Sequence, residues 1–388
     1  MEGRISYGTK LPSKRKLADF LSISQNTVEQ AYDQLVAEGY IEAKPRKGYF
    51  VLASEDLEYV QPTVPKPEKA EEKERFRYDF HPGRIDTEHF PFDKWRKYAR
   101  NIITQENQSL LLMGNQQGEY ILREEIAKYL YYARGVHCSP DEIILGAGIE
   151  TLLHQLILLM GAQTTYGVED PGYHVISYML QHYPNEVYPL EVDEKGIKVD
   201  ALEETPVDIV YVTPSRQFPF GSVLEANRRI KLLNWAAAKK NRYIIEDDYD
   251  SEFRYIGKSI PSLQSMDQNE KVIYFGTFSK SLIPSIRISY MVLPEHLMKR
   301  YQEKLSYFQC SVSRIDQHIL AQFMRDGEFE RYLNRMRHVY RRKMAMTLDI
   351  LKKYEHFVEV IGDHSGFHVV LKINSRLSEE ELSLRAKN

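Results

Sequence analysis

Lys280 lies in the stretch YFGTFSKSLIPSIRISY, residues 274 to 290, with Thr277 and Ser279 just before it, Gly276 closing an apolar run and Arg287 seven positions on. Small hydroxyl residues and a glycine let a backbone come close to an anion, and an arginine can grip a phosphate through two parallel hydrogen bonds. The lysine adds an amine. A phosphorylated aldehyde would suit all four at once, and a lysine joined to pyridoxal phosphate as a Schiff base is the chemistry with those requirements. A solvated surface lysine is the plain alternative.

Three further segments belong with that chemistry. YIIEDDYDSEFRY runs an apolar strand into Glu246, Asp247 and Asp248. A pyridinium nitrogen needs one carboxylate partner to act as an electron sink, so only one of the three can serve. Tyr249, two residues beyond Asp247, is placed to bond the cofactor's phenolic oxygen. No histidine cluster accompanies these acids, which argues against a metal site. LGAGIETLLHQLI leads a strand through a glycine turn into a helix, whose first amides and dipole favour an anion. EDPGYHVISYM sets Tyr173 after a Pro-Gly turn, where its ring can stack on a pyridine.

These residues need strand ends to hold them. EIILGAG, DIVYVTP, YIIEDD and KVIYFGT are short apolar runs separated by long helical stretches, and each ends in turn or polar residues. That alternation predicts an α/β domain, a mostly parallel sheet with helices on both faces, with ligands at the carboxyl ends of the strands. At 388 residues the chain has room for two or three domains. Hydrophobic residues make up 43% and charged residues 28%, and no apolar run is long enough to cross a bilayer. MEGRISYGTK lacks the apolar core of a signal peptide and two cysteines make no disulfide framework, so a reducing cytoplasm is expected. With a net charge of -3, any contact with nucleic acid must come from a local basic surface.

Residues 1–52 supply such a surface. In LPSKRKLADFLSISQNTVEQAYDQLVAEGY, Leu17, Ala18 and Leu21 form one apolar stripe and Val28, Ala31, Tyr32, Leu35 and Val36 a second, both at helical spacing. Ser24 caps the second helix, Gly39 follows its end, and IEAKPRKGYFV reads as two strands around a basic turn. This is the outline of a winged helix-turn-helix. Gln25, Asn26 and Thr27 open its second helix and suit base edges and phosphates, while Lys14, Arg15, Lys16, Arg46 and Lys47 suit the DNA backbone. Residues 53–77, rich in Pro, Glu and Lys without apolar periodicity, read as an extended linker. The domain from 78 to 388 follows, with a smaller C-terminal part from about 310.

The run from KLPSKRKLADFL to RKGYFV resembles the DNA-binding domain of the GntR superfamily, including Ser13 of the leucine-proline-serine opening, the Thr27-Val28 pair and Gly48 in the wing. From about residue 78 onward the chain resembles fold-type I aminotransferases, and the fused domains together resemble the MocR subfamily of GntR regulators. By motif, the resemblance implies Lys280 as the Schiff-base lysine, Asp247 as the partner of the pyridine nitrogen, Tyr249 as the hydroxyl contact and Tyr173 as the stacking ring. It implies a phosphate cradle of Thr277, Ser279, Arg287 and the amides of Ile149 and Glu150. YVTPSRQFPFG matches the segment beneath the cofactor.

The departures carry information. Gln25 stands where arginine is often found, which bears on operator preference, and the usual leading helix is expected to be short or missing. Ile149 stands where serine or threonine is common, Arg216 where histidine is frequent, and Phe220 where a small hydroxyl residue is frequent. Val175 occupies a position where a sensor of gamma-aminobutyrate is expected to hold arginine. The chain stops at LSEEELSLRAKN, after the strand-like SGFHVVLKIN, and the arginine that grips an amino acid's carboxylate in this fold normally lies beyond that point. The C-terminal small domain is therefore expected to be incomplete, through truncation, a split reading frame or a different effector.

The resulting expectation is a cytoplasmic homodimeric regulator that binds an operator and holds pyridoxal phosphate on Lys280, sensing an amine, an amino acid or the cofactor itself. The alternative is an aminotransferase that passes an amino group to an oxo acid, with weak or absent turnover expected here. His137, His154, His174 and His368 read as structural or surface residues, and RYLNRMRHVYRRKM as a solvated helix face with Met336, Val339 and Tyr340 on its apolar side.

Overall fold

The computed structural model describes residues 5–52, 78–80, 83–255 and 260–387. The chain divides into two compact units, Met1–Arg75 and Phe76–Asn388. The linker expected over 53–77 lies outside the described residues.

In the first unit, α1 (Lys14–Leu21) starts at Ser13, whose hydroxyl accepts from the Lys16 amide, and stops at Ser22, which turns left-handed at φ 55°. α2 (Gln25–Ala37) is capped by Ser24, whose hydroxyl accepts from the Thr27 amide at 3.1 Å. Strands β1 (Ile41–Lys44) and β2 (Gly48–Val51) pair antiparallel, Ile41 opposite Val51. Residues 8–11 add an edge that the residue pattern does not predict, with Gly8 donating to Val51 and Leu11 to Tyr49. Ala18, Val28, Tyr32, Ile41 and Val51 make the core. The expected stripes are wider than the buried ones, since Leu21, Ala31 and Val36 are exposed. Leu21 is the last residue of α1, where the left-handed turn carries the chain off the core. α2 buries Val28 and Tyr32, one turn apart, because a single short helix and a hairpin cover it.

Replacing Ser24 by alanine removes the acceptor of the Thr27 amide and should cost about 1 kcal/mol, the usual loss at an N-cap. Hydrogen exchange is the readout. The Thr27 amide should exchange roughly fivefold faster, while core amides of the second unit keep their rates; an unchanged Thr27 rate would show that the cap does not stabilise α2.

The second unit opens with α3 (Phe92–Ile102) and α4 (Tyr120–Arg134). The sheet-forming region then alternates: β3 (Ile143–Gly146), α5 (Ile149–Met160), β4 (Tyr166–Asp170), α6 (His174–Gln181), β5 (Val187–Asp193), β6 (Gly196–Ile197), β7 (Ile209–Val212) and α7 (Ala226–Ala237). It continues through β8 (Tyr243–Asp248), β9 (Val272–Thr277), α8 (Phe278–Ser281), β10 (Ser289–Val292) and α9 (Glu295–Lys304). The C-terminal part holds α10 (Arg314–Arg325), α11 (Glu328–Leu351), a hairpin of β11 (Val358–Ile361) and β12 (Val370–Ile373), and α12 (Glu379–Lys387).

The large sheet runs β3-β10-β9-β8-β7-β4-β5-β6. Its centre, β9-β8-β7-β4-β5, is parallel as expected, while β10 enters antiparallel between β3 and β9. β7, β8 and β9 are buried along their length because apolar clusters cover both faces. Burial of both faces leaves the strand ends as the places where polar side chains can meet a ligand. α11 buries Tyr332, Leu333, Met336 and Val339 and turns arginines outward, which agrees with a solvated basic face.

Candidate functional site

The end of β8 holds three buried acids, and strand alternation separates them. Glu246 and Asp248 share one face. There Glu246 accepts from the amides of Leu263 and Gln264, both at 2.9 Å, and Asp248 pairs with Arg134 at 2.6 Å and takes a hydrogen bond from Tyr274. Asp247 faces the other way. Its Oδ2 accepts from the Tyr211 hydroxyl at 2.5 Å and its Oδ1 is buried with no hydrogen-bond partner. Burial, followed by the nearby charges of Asp248 and Asp250 and opposed by the Tyr211 hydrogen bond, pushes the Asp247 carboxyl up to about 7. Asp248 Oδ1 is likewise buried without a hydrogen-bond partner, but Arg134 already neutralises that carboxylate, so Asp247, which pairs with a neutral hydroxyl, is the acid of the three suited to a cationic ring nitrogen.

β9 ends in the loop that carries the amine. Thr277 caps α8 by accepting from the Ser279 amide at 3.1 Å, and also accepts from the Ser289 hydroxyl at 2.8 Å. Ser279 Oγ is buried with no hydrogen-bond partner. Lys280 is half-buried at the end of this short helix; burial lowers its pKa, and the Asp250 charge opposes that effect.

The opposite wall is the N-terminus of α5, whose first amides have no partner within the helix. Gly148 precedes it at φ +103°, and a Cβ there would collide with Arg287 Nη2. Arg287 folds over this turn and pairs with Glu150 at 2.7 Å. Glu150, expected to offer its amide, therefore also brings a carboxylate to the anion cradle, and a phosphate bound there must share Arg287 with it. Tyr173 caps the site from the start of α6, 42% exposed, with its ring edge on Phe218 at 5.8 Å. Burial raises the pKa of the Tyr173 hydroxyl; the charges of Glu150 and Asp247 add to the rise and that of Arg287 opposes it. Tyr249 Oη accepts from Arg216 at 3.3 Å.

These residues fit pyridoxal phosphate. An unpartnered buried carboxylate oxygen answers to the ring nitrogen, and a half-buried amine to the aldehyde. An unpartnered buried hydroxyl and a glycine turn at φ +103°, where any side chain would be strained, answer to the phosphate.

Several members of this site carry no signal in the sequence pattern. Tyr211 on β7, Arg134 at the end of α4, Ser289 on β10 and Asp250 just after β8 act on site residues. His368, expected to be structural or at the surface, contacts Arg216 at 3.2 Å and packs against Phe218 with ring centroids 5.3 Å apart and planes tilted by 59°. His154 meets Tyr183 and belongs to the core. Among the described residues no group of His, Cys, Asp and Glu is arranged to hold a metal ion.

In the first unit, Gln25, Asn26, Thr27, Arg15, Arg46 and Lys47 are exposed, with Arg46 at φ +62° in the turn before Gly48. Lys14 is instead bound to Glu29 at 2.6 Å, and the Ser24 hydroxyl is tied to that of Thr27 at 2.8 Å. No helix among the described residues is long and apolar enough to cross a membrane.

Residues 82–386 match the family described as aminotransferase class I and II, and residues 1–51 the bacterial regulatory proteins of the gntR family. The uncharacterized HTH-type transcriptional regulator YdeL of Bacillus subtilis is 46% identical over 390 residues, covering 99% of this chain and 84% of its own. The probable rhizopine catabolism regulatory protein MocR of Rhizobium meliloti is 29% identical over 399 residues, 98% of this chain and 81% of its own. Among solved structures, the multiple substrate aminotransferase of Thermococcus profundus superposes with a TM-score of 0.71 at 26% identity, over 79% of this chain and 78% of that one.

Proposed function

The chain belongs to the MocR type of GntR regulators, a winged helix-turn-helix joined to a class I and II aminotransferase unit, and from that premise we propose that it is an operator-binding regulator switched through pyridoxal phosphate held on Lys280. What carries the reading is one chain that keeps both a reading helix with solvent-facing Gln25 and Asn26 and a buried carboxylate open to a ring nitrogen.

When bound, pyridoxal phosphate supplies an aldehyde that condenses with primary amines and a ring that draws electrons. The chain does the rest. Lys280 offers a half-buried amine, Asp247 holds the ring nitrogen's proton, and Tyr249 reaches the phenolic oxygen. Thr277, Ser279, Arg287 and the first amides of α5 hold the phosphate, and Tyr173 covers the ring. An amine or amino acid that competes with Lys280, or the cofactor itself, shifts the preferred conformation, and its unequal affinity for the two states changes DNA affinity. The protein acts as a homodimer in the cytoplasm, matching a two-fold operator.

Duplexes selected from a random pool by the full chain test this reading. An enriched site whose affinity changes fivefold or more on adding pyridoxal phosphate and one amine supports it. No enrichment, or sustained amino transfer to an oxo acid with no effect on DNA affinity, overturns it. Arg46→Ala and Lys47→Ala should each flatten the dependence of log affinity on log salt by about 0.9 for every phosphate the variant ceases to neutralise, on all sequences alike. Gln25→Ala should relax base preference and leave that slope alone.

A further inference from the structure

Arg216 is the most deeply enclosed cation beside the site. It and Asp250 pair at 3.2 Å with side chains only 2% and 1% exposed. The same guanidinium donates to Tyr249 Oη at 3.3 Å, to His368 Nδ1 at 3.2 Å and, through Nη2, to the carbonyls of His368 at 2.8 Å and Gly362 at 3.4 Å. Its remaining donor, Nε, has no hydrogen-bond partner and lies under Gly366, where a Cβ would collide with it. Both terminal nitrogens are thus committed to protein groups, and Nε, though unpartnered, is buried.

Two consequences follow from donor chemistry. An arginine only donates, so the Tyr249 oxygen accepts and its own proton must point elsewhere. His368 Nε2 faces the Pro219 carbonyl at 3.0 Å, and a carbonyl only accepts, so Nε2 carries the proton and Nδ1 receives Arg216. His368 is neutral in this arrangement; burial and then the Arg216 charge lower its pKa to about 4. The connection between β11 and β12 is pressed close to the segment holding Arg216, since a Cβ on Gly362 would lie 2.6 Å from the Phe220 carbonyl oxygen.

We infer that Arg216 is a positioning residue: by donating to the Tyr249 hydroxyl oxygen it turns that hydroxyl's proton toward the phenolic oxygen of the bound cofactor, and by the same fork it fastens residues 362–368 beside the site. The inference rests on the cofactor reading proposed above. The charged and titratable groups that act on this pair are Asp247 on β8, Asp250 and Tyr255 after it, Lys280 on α8 and His368 before β12, together with Asp248, which is held by Arg134.

The test is a pH titration of the visible absorbance of the full chain loaded with pyridoxal phosphate. A hydrogen bond to the ionised phenolic oxygen favours its ionised form, so losing that bond should move the midpoint upward. Tyr249→Phe is expected to raise it by roughly one pH unit, and so is Arg216→Gln. Adding Arg216→Gln to Tyr249→Phe should bring little further change, because the arginine acts through the hydroxyl. Arg216→Gln/Asp250→Asn removes both buried charges together and serves if the single variant does not fold; it should show the same upward shift and the same dependence on Tyr249. A midpoint that stays put in Tyr249→Phe or in either Arg216 variant overturns the inference, as does a shift that persists undiminished with Phe at 249. If the wild-type chain acquires no absorbance that depends on Lys280, the cofactor reading fails and this one with it. Normal loading with unmoved midpoints sinks the role of Arg216 alone.

Discussion

Replacing Lys280 by alanine should abolish the visible absorbance that the protein gains with pyridoxal phosphate, together with any change in DNA affinity that an amine produces. The rest of the proposed cradle stays: Arg287, Ser279, Thr277 and the α5 amides should still meet the phosphate, and Asp247 the ring nitrogen. Binding should persist in a weaker, non-covalent form. The lysine also sets the pH dependence of loading. Its attack needs the neutral amine, and burial lowers its pKa below the ordinary lysine value, with Asp250 opposing. The loading rate should therefore climb with pH and level off below about 10.4, the value of a free lysine side chain. A rate still rising through that value would show an amine that is solvated and unprepared. Absorbance retained in Lys280→Ala would move the attachment to another residue.

The second large effect is a trade between stability and cofactor affinity at Asp247. In the cofactor-free protein this carboxyl is raised to about 7, against about 3.9 in an unfolded chain. The folded state thus binds the proton more tightly across that interval. The stability this contributes is complete below the unfolded value and is lost as pH rises through about 7. Glu169, Glu246 and Glu252, each also raised to about 7 by burial, and Asp250, raised to about 6, add to the same fall. Asp247→Asn should flatten part of that decline and stabilise the cofactor-free protein at pH 8 by on the order of 2 kcal/mol. It should also weaken pyridoxal phosphate by roughly 10- to 100-fold, the usual worth of a hydrogen bond to a charged group. Thermal melts at pH 5 and 8, with and without cofactor, read both effects. If the variant is destabilised at pH 8, or binds the cofactor as tightly as wild type, Asp247 is not the ring's partner.

Much of the site was legible because its parts are local. The glycine turn before α5, the hydroxyl-flanked Lys280 loop and the basic turn between β1 and β2 each constrain a handful of consecutive residues, and short-range geometry is written in residue type. The partner of Lys14 was not legible for a long-range reason: Glu29, fifteen residues on, takes its ammonium. The wide apolar stripes of α1 and α2 failed similarly, since periodicity reports which residues share a helix face and not how much of that face a partner covers.

The sequence by itself determined the two-part organisation, the strand-to-loop placement of Lys280, the run of three acids and the glycine turn that opens α5. Only the tertiary structure decided which acid is open. Alternation pairs Glu246 with Asp248, but the choice of face depends on Arg134, 114 positions from Asp248, and on the amides of Leu263 and Gln264. It also decided that Arg216 meets His368, 152 positions away, and that Arg287 reaches Glu150 across 137. The physical reason is common to all three. Hydrogen bonds and ion pairs between distant segments are set by strand order, crossovers and register, and no local pattern of polar and apolar residues encodes which two loops arrive at the same strand end.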